Sequence, residues 1–162
     1  MASKKSITYE ILRPFVWTGI HFFFKRVVVA GAHRVPLDRP VVMVANHQNA
    51  LLDPVVLCVS TNKQLNWLTR ADVFKNPLVD RFLRGINMLP VYRERDRVAD
   101  LHNRNNEIFR LCYERMKDNA VIGIFPEGTH RGKKQLVPLK KGLARLVIGA
   151  YEAGVRDLCI LP

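Results

Sequence analysis

The sequence predicts an α/β domain, with helices packed over a β-sheet. Two observations carry this. Short apolar β-branched runs such as "VVMVAN" and "AVIGIF" alternate along the chain with longer stretches of helical periodicity, the pattern of layered α/β folds. These runs are apolar throughout rather than at every second position, as strands buried on both faces must be. Length agrees, since 162 residues suffice for one domain that buries about 70% of its unfolded surface.

Taken in order, residues 6–24 read as a helix. Its apolar part lies in "PFVWTGIHFFFKR", Pro14 to Arg26, and is interrupted by Thr18, Gly19 and His21. It falls well short of the roughly 18 apolar residues that cross a bilayer. No small-residue cleavage site follows, so a secretory signal fits poorly. Phe15, Trp17 and Phe22 to Phe24 lie between Lys4, Lys5 and Arg13 on one side and Lys25 and Arg26 on the other. Aromatic residues framed by basic ones suit a helix lying in the membrane interface; an ordinary core helix accounts for the same apolar content. "RVVVAGAHRVP" predicts a short strand, Val27 to Ala30, stopped by Gly31, and "PVVMVAN" a second. "DPVVLCVS" opens a helix with Asp53 as N-cap and Pro54 at its first position. "LNWLTRA" reads as a strand, "DVFKNPLVDRFLRG" as one or two helices closed by Gly85, and "INMLPVYR" as a strand.

From Asp96 to Lys117 an apolar stripe of Val98, Leu101, Ile108, Leu111, Cys112 and Met116 marks a helix with a charged outer face. "AVIGIF" is a buried strand. "PLKKGLARLVIGAYEAG" is a helix with Leu143, Leu146, Val147, Ala150 and Tyr151 on one face and Gly154 as its stop. "LCIL" is the last strand. The chain stops at Pro162 as that strand ends, which reads as an incomplete C terminus, because an α/β domain seldom ends on an uncovered strand.

Net charge is +12, from 26 Lys+Arg against 14 Asp+Glu. Such an excess draws polyanions: nucleic acid, an anionic membrane face or phosphorylated substrates. Cys58, Cys112 and Cys159 are odd in number and show no CxxC spacing. They read as reduced core thiols of a cytosol-facing protein.

Two constellations carry chemistry. In "VVMVANHQNALLDPVVL" an apolar strand ends on Asn46 and His47, and Asp53 follows six residues on. Ligands of α/β proteins bind where strands give way to loops. A histidine there can be a general base whose tautomer an acid fixes, provided the backbone turns between the two. A helix cap at Asp53 beside a satisfied loop histidine explains the same residues. In "IFPEGTHRGKKQLVPLKKG" a strand runs into a tight turn carrying Glu127, followed by Arg131, Lys133, Lys134, Lys140 and Lys141. Exposed backbone N–H groups with such cations can hold a phosphate. A third piece, "INMLPVYRERDR", ends a strand on Arg93, which can complete the grip; the rest of that run, to Arg97, reads as a solvated helix start.

Together "NHQNALLDP", "GINMLPVYR", "FPEGTHR" and "LCILP" resemble, in order, the four motif blocks of PlsC-type glycerolipid acyltransferases, which act on glycerol 3-phosphate or 1-acylglycerol 3-phosphate. The resemblance covers residues 27–162, with residues 1–26 as a membrane-interface helix ahead of the acyltransferase domain. It implies a mixed β-sheet covered by helices. It implies His47 as general base and Asp53 as its orienting acid, although five residues separate the pair where the family usually has four. The extra residue bears on the His–Asp geometry and on which acceptor is used. Arg93 matches the arginine that holds the acceptor phosphate. Glu127, Gly128 and Thr129 match the acceptor-pocket motif, and Arg131 the arginine after it, displaced by His130. Arg70 lies where relatives carry a basic residue before an acidic one, and Pro162 matches the fourth-block proline.

The resemblance also implies acyl-CoA or acyl-ACP (acyl carrier protein) as co-substrate with no cofactor or metal, a phosphorylated glycerolipid acceptor, and a peripheral or monotopic place on the cytoplasmic face of an anionic membrane. Other readings stay open. A metal-dependent hydrolase could use His47, Asp53, Glu127 and His130, but no HExxH spacing supports it. A nucleic-acid binder fits the charge, yet no such signature appears and the basic residues are spread out. An inactive, lipid-binding member would keep the fold alone. His21, His33 and His102 read as ordinary surface or interface histidines.

Overall fold

The computed structural model describes residues 6–36, 38–128 and 138–162. The order is α1 (Ile7–Phe23), β1 (Val41–Val44), α2 (Leu52–Ser60), β2 (Leu65–Arg70), α3 (Pro77–Gly85), β3 (Met88–Val91), α4 (Leu101–Lys117), β4 (Val121–Ile124), α5 (Gly142–Glu152) and β5 (Cys159–Leu161), with short 3-10 turns at Ala32–Arg34, Ala71–Phe74 and Glu94–Asp96. The five strands lie in the order β3-β2-β4-β1-β5. Every pairing among the described residues is parallel, where the resemblance implied a mixed sheet. A helix separates each strand from the next, so the chain re-enters the sheet in one direction. All strands therefore end on the same edge.

Alternation along the strands splits the core in two. Val42, Ile122 and Ile124 point to α4 and α5, against Cys112, Met116, Leu146 and Ala150. Val41, Met43, Leu65, Trp67 and Val121 point to the other face, against Leu57, Cys58 and Phe125. Trp67 lies over Gly123: a Cβ there would come within 2.4 Å of the indole ring. Gly123→Ala is expected to cost about 1–3 kcal/mol by overpacking, read as a lower denaturant midpoint.

Helix α1 is capped by Ser6, whose hydroxyl accepts from the Tyr9 amide at 3.1 Å. It packs against α2 and α3 and buries Tyr9 and Ile20. Its apolar stripe of Ile7, Ile11, Phe15 and Phe22 faces outward, Phe22 being 93% exposed. Helix α5 ends in a Schellman motif: Gly154 has φ +89°, its amide donates to the Tyr151 carbonyl at 3.1 Å, and that of Val155 to the Ala150 carbonyl at 2.9 Å.

Several local expectations are corrected. Val27–Ala30 pairs with no strand among the described residues, and Val28 is 70% exposed; β-branched propensity alone does not make a strand without a partner. Asp53 is not the N-cap of α2, which starts at Leu52. Asn49 Oδ1 does the capping work, accepting from the amides of Leu51 and Leu52 at 3.1 and 3.0 Å. Helix α4 starts at Leu101 rather than Asp96. Its inner face carries Ile108, Phe109, Cys112, Tyr113 and Met116, while Leu111 is exposed. Tyr151 is also exposed, with the Arg156 guanidinium 4.1 Å over its ring.

The three cysteines are free thiols. Burial pushes Cys112 up to about 12 and raises Cys58, whose sulfur accepts from the Trp67 indole N–H at 3.1 Å. Buried neutral thiols of this kind are poor nucleophiles.

Candidate active site

The sequence-predicted residues within the described chain converge on the edge where the parallel strands end. His47 follows β1, Glu127 and Gly128 follow β4, Arg70 closes β2, and Arg93 follows β3. In the sheet these strands are consecutive neighbours, so the groups line one edge in the order His47, Glu127, Arg70, Arg93. Strand spacing puts the β2 backbone about 10 Å and the β3 backbone about 14 Å from β1. Thr129, His130, Arg131, Lys133 and Lys134 lie outside the described residues.

The turn that His47 and Asp53 require is present. Past Val44 the chain keeps one more sheet bond, the Ala45 amide donating to the Ile124 carbonyl at 3.4 Å, and then folds back into α2. Asp53, in the first turn of α2, points back into that loop. Its Oδ2 accepts from the amides of Gln48 and Asn49, each at 2.8 Å, and lies 3.2 Å from His47 Nδ1. One carboxylate oxygen thereby fixes both the loop and the imidazole. With Nδ1–H donating to Asp53, the basic lone pair is on Nε2.

The imidazole is also fixed in its plane. It stacks on Phe125 with centroids 4.0 Å apart and 14° between planes. Phe125 stacks in turn on Trp67 at 4.8 Å and 5°. The His47 side chain is 14% exposed, so the base is largely shielded while remaining at the sheet edge. Neither Phe125 nor Trp67 was singled out in the sequence; the signal was Phe125 standing directly before the Pro-Glu-Gly turn.

Glu127 is buried, at 4% exposure. It sits in a tight turn in which the Gly128 amide donates to the Phe125 carbonyl at 3.0 Å, and Gly128 takes φ +63°. The Lys140 amide closes the same turn on the Pro126 carbonyl at 2.8 Å.

Arg93 is held by the turn that follows it. The 3-10 turn after it brings Asp96 back, and Asp96 Oδ2 accepts from the Arg93 amide at 2.8 Å. The same carboxylate pairs with the Arg93 guanidinium at 3.0 Å, which holds Asp96 below the usual carboxylate range. Its contribution to stability is therefore present above the unfolded-state pKa and lost as pH falls through the lower folded one. Asp72 joins Arg93 to Arg70, with ion-pair distances of 3.5 and 3.0 Å. Asp72 and Asp96 went unassigned in the sequence, although each follows its arginine by two or three residues.

Known proteins resemble the chain in sequence and in fold. The family profile described as Acyltransferase matches residues 26–162. A 1-acyl-sn-glycerol-3-phosphate acyltransferase of Bacillus subtilis is 27% identical over 135 residues, 78% of this chain and 62% of that protein. The chloroplastic enzyme LPAT1 of Arabidopsis thaliana is 26% identical over 129 residues, 78% of this chain and 34% of that one. The mouse alpha enzyme is 26% identical over 148 residues, 87% and 47% respectively. The chain thus spans less than two thirds of each of these relatives. Among solved structures, the 1-acyl-sn-glycerophosphate acyltransferase PlsC of Thermotoga maritima shares the fold, with a TM-score of 0.65 at 23% identity over 88% of this chain and 53% of that one. With the profile matched over most of its length, the chain belongs to the PlsC-type acyltransferase family.

Proposed function

We propose that the chain transfers a fatty acyl group from an acyl-CoA or acyl-ACP thioester to a hydroxyl of a phosphorylated glycerolipid, with lysophosphatidate as the leading acceptor. The observation that carries this reading is the His47–Asp53 pair at the sheet edge that also holds Arg70 and Arg93. His47 Nε2 takes the proton of the acceptor hydroxyl as its oxygen attacks the thioester carbonyl carbon. The tetrahedral intermediate collapses, the carbon–sulfur bond breaks, and the imidazolium returns the proton to the leaving thiolate. Asp53 stabilises the imidazolium in between. No enzyme nucleophile is needed, in keeping with the buried thiols, and the step itself requires no cofactor.

Arg93 and Arg70 hold the acceptor phosphate and so place the hydroxyl near the base. Arg131 is proposed for the same seat, and Glu127, Gly128 and Thr129 for the wall of the acceptor pocket. Helix α1 supports a peripheral place on the cytoplasmic face of an anionic membrane: its outward apolar stripe and the net charge of +12 suit such a surface. No helix among the described residues is long and apolar enough to cross a membrane.

The test is acyl transfer from acyl-CoA and from acyl-ACP to lysophosphatidate and to glycerol 3-phosphate, offered separately on vesicles containing anionic lipid. Transfer to a phosphorylated acceptor is expected. Failure with every donor–acceptor pair, from folded protein, overturns the reading. In the same assay Arg93→Gln is expected to raise the acceptor KM about ten- to a hundredfold, the weight of a charge-assisted hydrogen bond, while kcat changes far less.

A further inference from the structure

Two guanidinium groups on neighbouring strands converge on one oxygen. Arg70, the last residue of β2, brings Nε to 3.0 Å from Asp72 Oδ1. Arg93, just past β3, brings a terminal nitrogen to 3.5 Å from the same atom. The parallel register makes this possible, since Arg70 is the partner of Val91 and both chains leave the sheet on one side. Yet Asp72 Oδ1 is buried and takes no hydrogen bond among the described residues. Its two contacts are charge attraction without alignment, weaker than a paired N–H···O geometry.

The neighbouring carboxylate is held differently. Asp96 accepts from the Arg93 amide at 2.8 Å and from Nε and a terminal nitrogen of the Arg93 guanidinium at 3.4 and 3.0 Å. The Asp96 amide in turn donates to the Arg93 carbonyl at 2.8 Å, closing the turn. Asp96 is thus committed to Arg93 and keeps it in place, whereas Asp72 balances two cations without satisfying either. Of the two carboxylates, Asp72 is the one an incoming anion can displace.

We propose that Asp72 is an internal competitor of the acceptor phosphate: its carboxylate and a phosphate oxygen claim the same two guanidinium groups, those of Arg70 and Arg93. A phosphomonoester carries a charge of about −1.5 to −2 and three acceptor oxygens, so it can satisfy both arginines with aligned bonds where one carboxylate oxygen cannot. The competition lowers the affinity of every anion for the seat. Only a group that binds both arginines strongly stays bound at useful concentration. Asp72 on this account sets the affinity of the phosphate seat, and Asp96 is a positioning residue for Arg93. The inference rests on the proposed assignment of Arg93 to the acceptor phosphate.

Inorganic phosphate is the probe, titrated calorimetrically into the full chain and into folded Asp72→Asn, Asp72→Glu and Arg93→Gln variants. Asp72→Asn is expected to bind phosphate about fivefold tighter, the weight of one partly exposed ion pair that no longer competes. Asp72→Glu, which keeps the charge, is expected to stay near wild type, and Arg93→Gln to bind more weakly. In the transfer assay Asp72→Asn is expected to lower the acceptor KM and the inhibition constant of inorganic phosphate together. If the amide variant does not fold, Asp72→Ser replaces it. If Arg93→Gln weakens binding but loss of the Asp72 charge leaves it unchanged or weaker, the competitor role is wrong and the phosphate seat stands. If Arg93→Gln has no effect, the seat itself is misplaced and both fall.

Discussion

His47→Ala is expected to lower the rate of acyl transfer by between about 10² and 10⁴, the range that a positioned general base supplies. A lipid hydroxyl is a poor nucleophile near neutral pH, and removing the imidazole leaves no comparable base held beside it by the β1 loop. The loss should fall on kcat. The proposed phosphate seat lies two to three strand spacings away, about 10–14 Å along the sheet edge, so the acceptor KM should change little. The substitution also uncovers one face of Phe125, the inner ring of the stack with Trp67. Thermal unfolding of the variant therefore belongs with the assay, to separate lost chemistry from lost packing. A folded His47→Ala protein that transfers acyl groups at the wild-type rate would rule out the base assignment, whatever Arg93 does.

What could be read from the sequence follows from what its residues must do locally. β1 and β4 were plain because "VVMV" and "VIGI" are apolar on both faces, and only a strand at the centre of a covered sheet needs that. The stop of α5 at Gly154 was plain because a left-handed residue is needed there and glycine supplies it at little cost. The "VVVA" run misled because its residues have strand propensity, while pairing depends on a neighbour that no local pattern encodes. Tyr151 misled for a related reason: its spacing puts it on the apolar side of α5, but Arg156, brought round by the turn at Gly154, gives its ring a cation to meet outside.

At the site, the histidine, the acid and the arginines could each be found, since strand ends in an α/β fold are where such groups gather. The contacts that tune them could not. The Asp72 bridge joins residues from two strands, and the His47–Phe125–Trp67 stack joins three. Both exist only once the strand order β3-β2-β4-β1-β5 has made neighbours of segments far apart in the chain. The resemblance implies a spacing one residue shorter between histidine and acid, and the loop of this chain closes with five residues between them. Asn49 takes over the capping of α2, which releases Asp53 from that duty and lets its carboxylate turn back toward the ring.

This division of labour makes Asp53→Asn the most informative single substitution. The amide oxygen of an asparagine can still accept from the amides of Gln48 and Asn49, so the loop and the start of α2 are expected to persist. That same oxygen, in the place of Oδ2, still accepts from His47 Nδ1–H, and the NH₂ takes the place of Oδ1. The tautomer with the lone pair on Nε2 is therefore kept. What is lost is the negative charge that stabilises the imidazolium. Loss of the charge from such a hydrogen bond weighs about 1.5–3 kcal/mol, and a fall in kcat of about ten- to a hundredfold is expected here, with an unfolding midpoint close to wild type. Asp53→Ala should lose the loop bonds as well as the charge, and so should fall in stability where Asp53→Asn does not. Were Asp53→Asn to keep most of its activity, the charge of Asp53 would have no part in the chemistry, and the side chain would serve only to hold the loop and the ring.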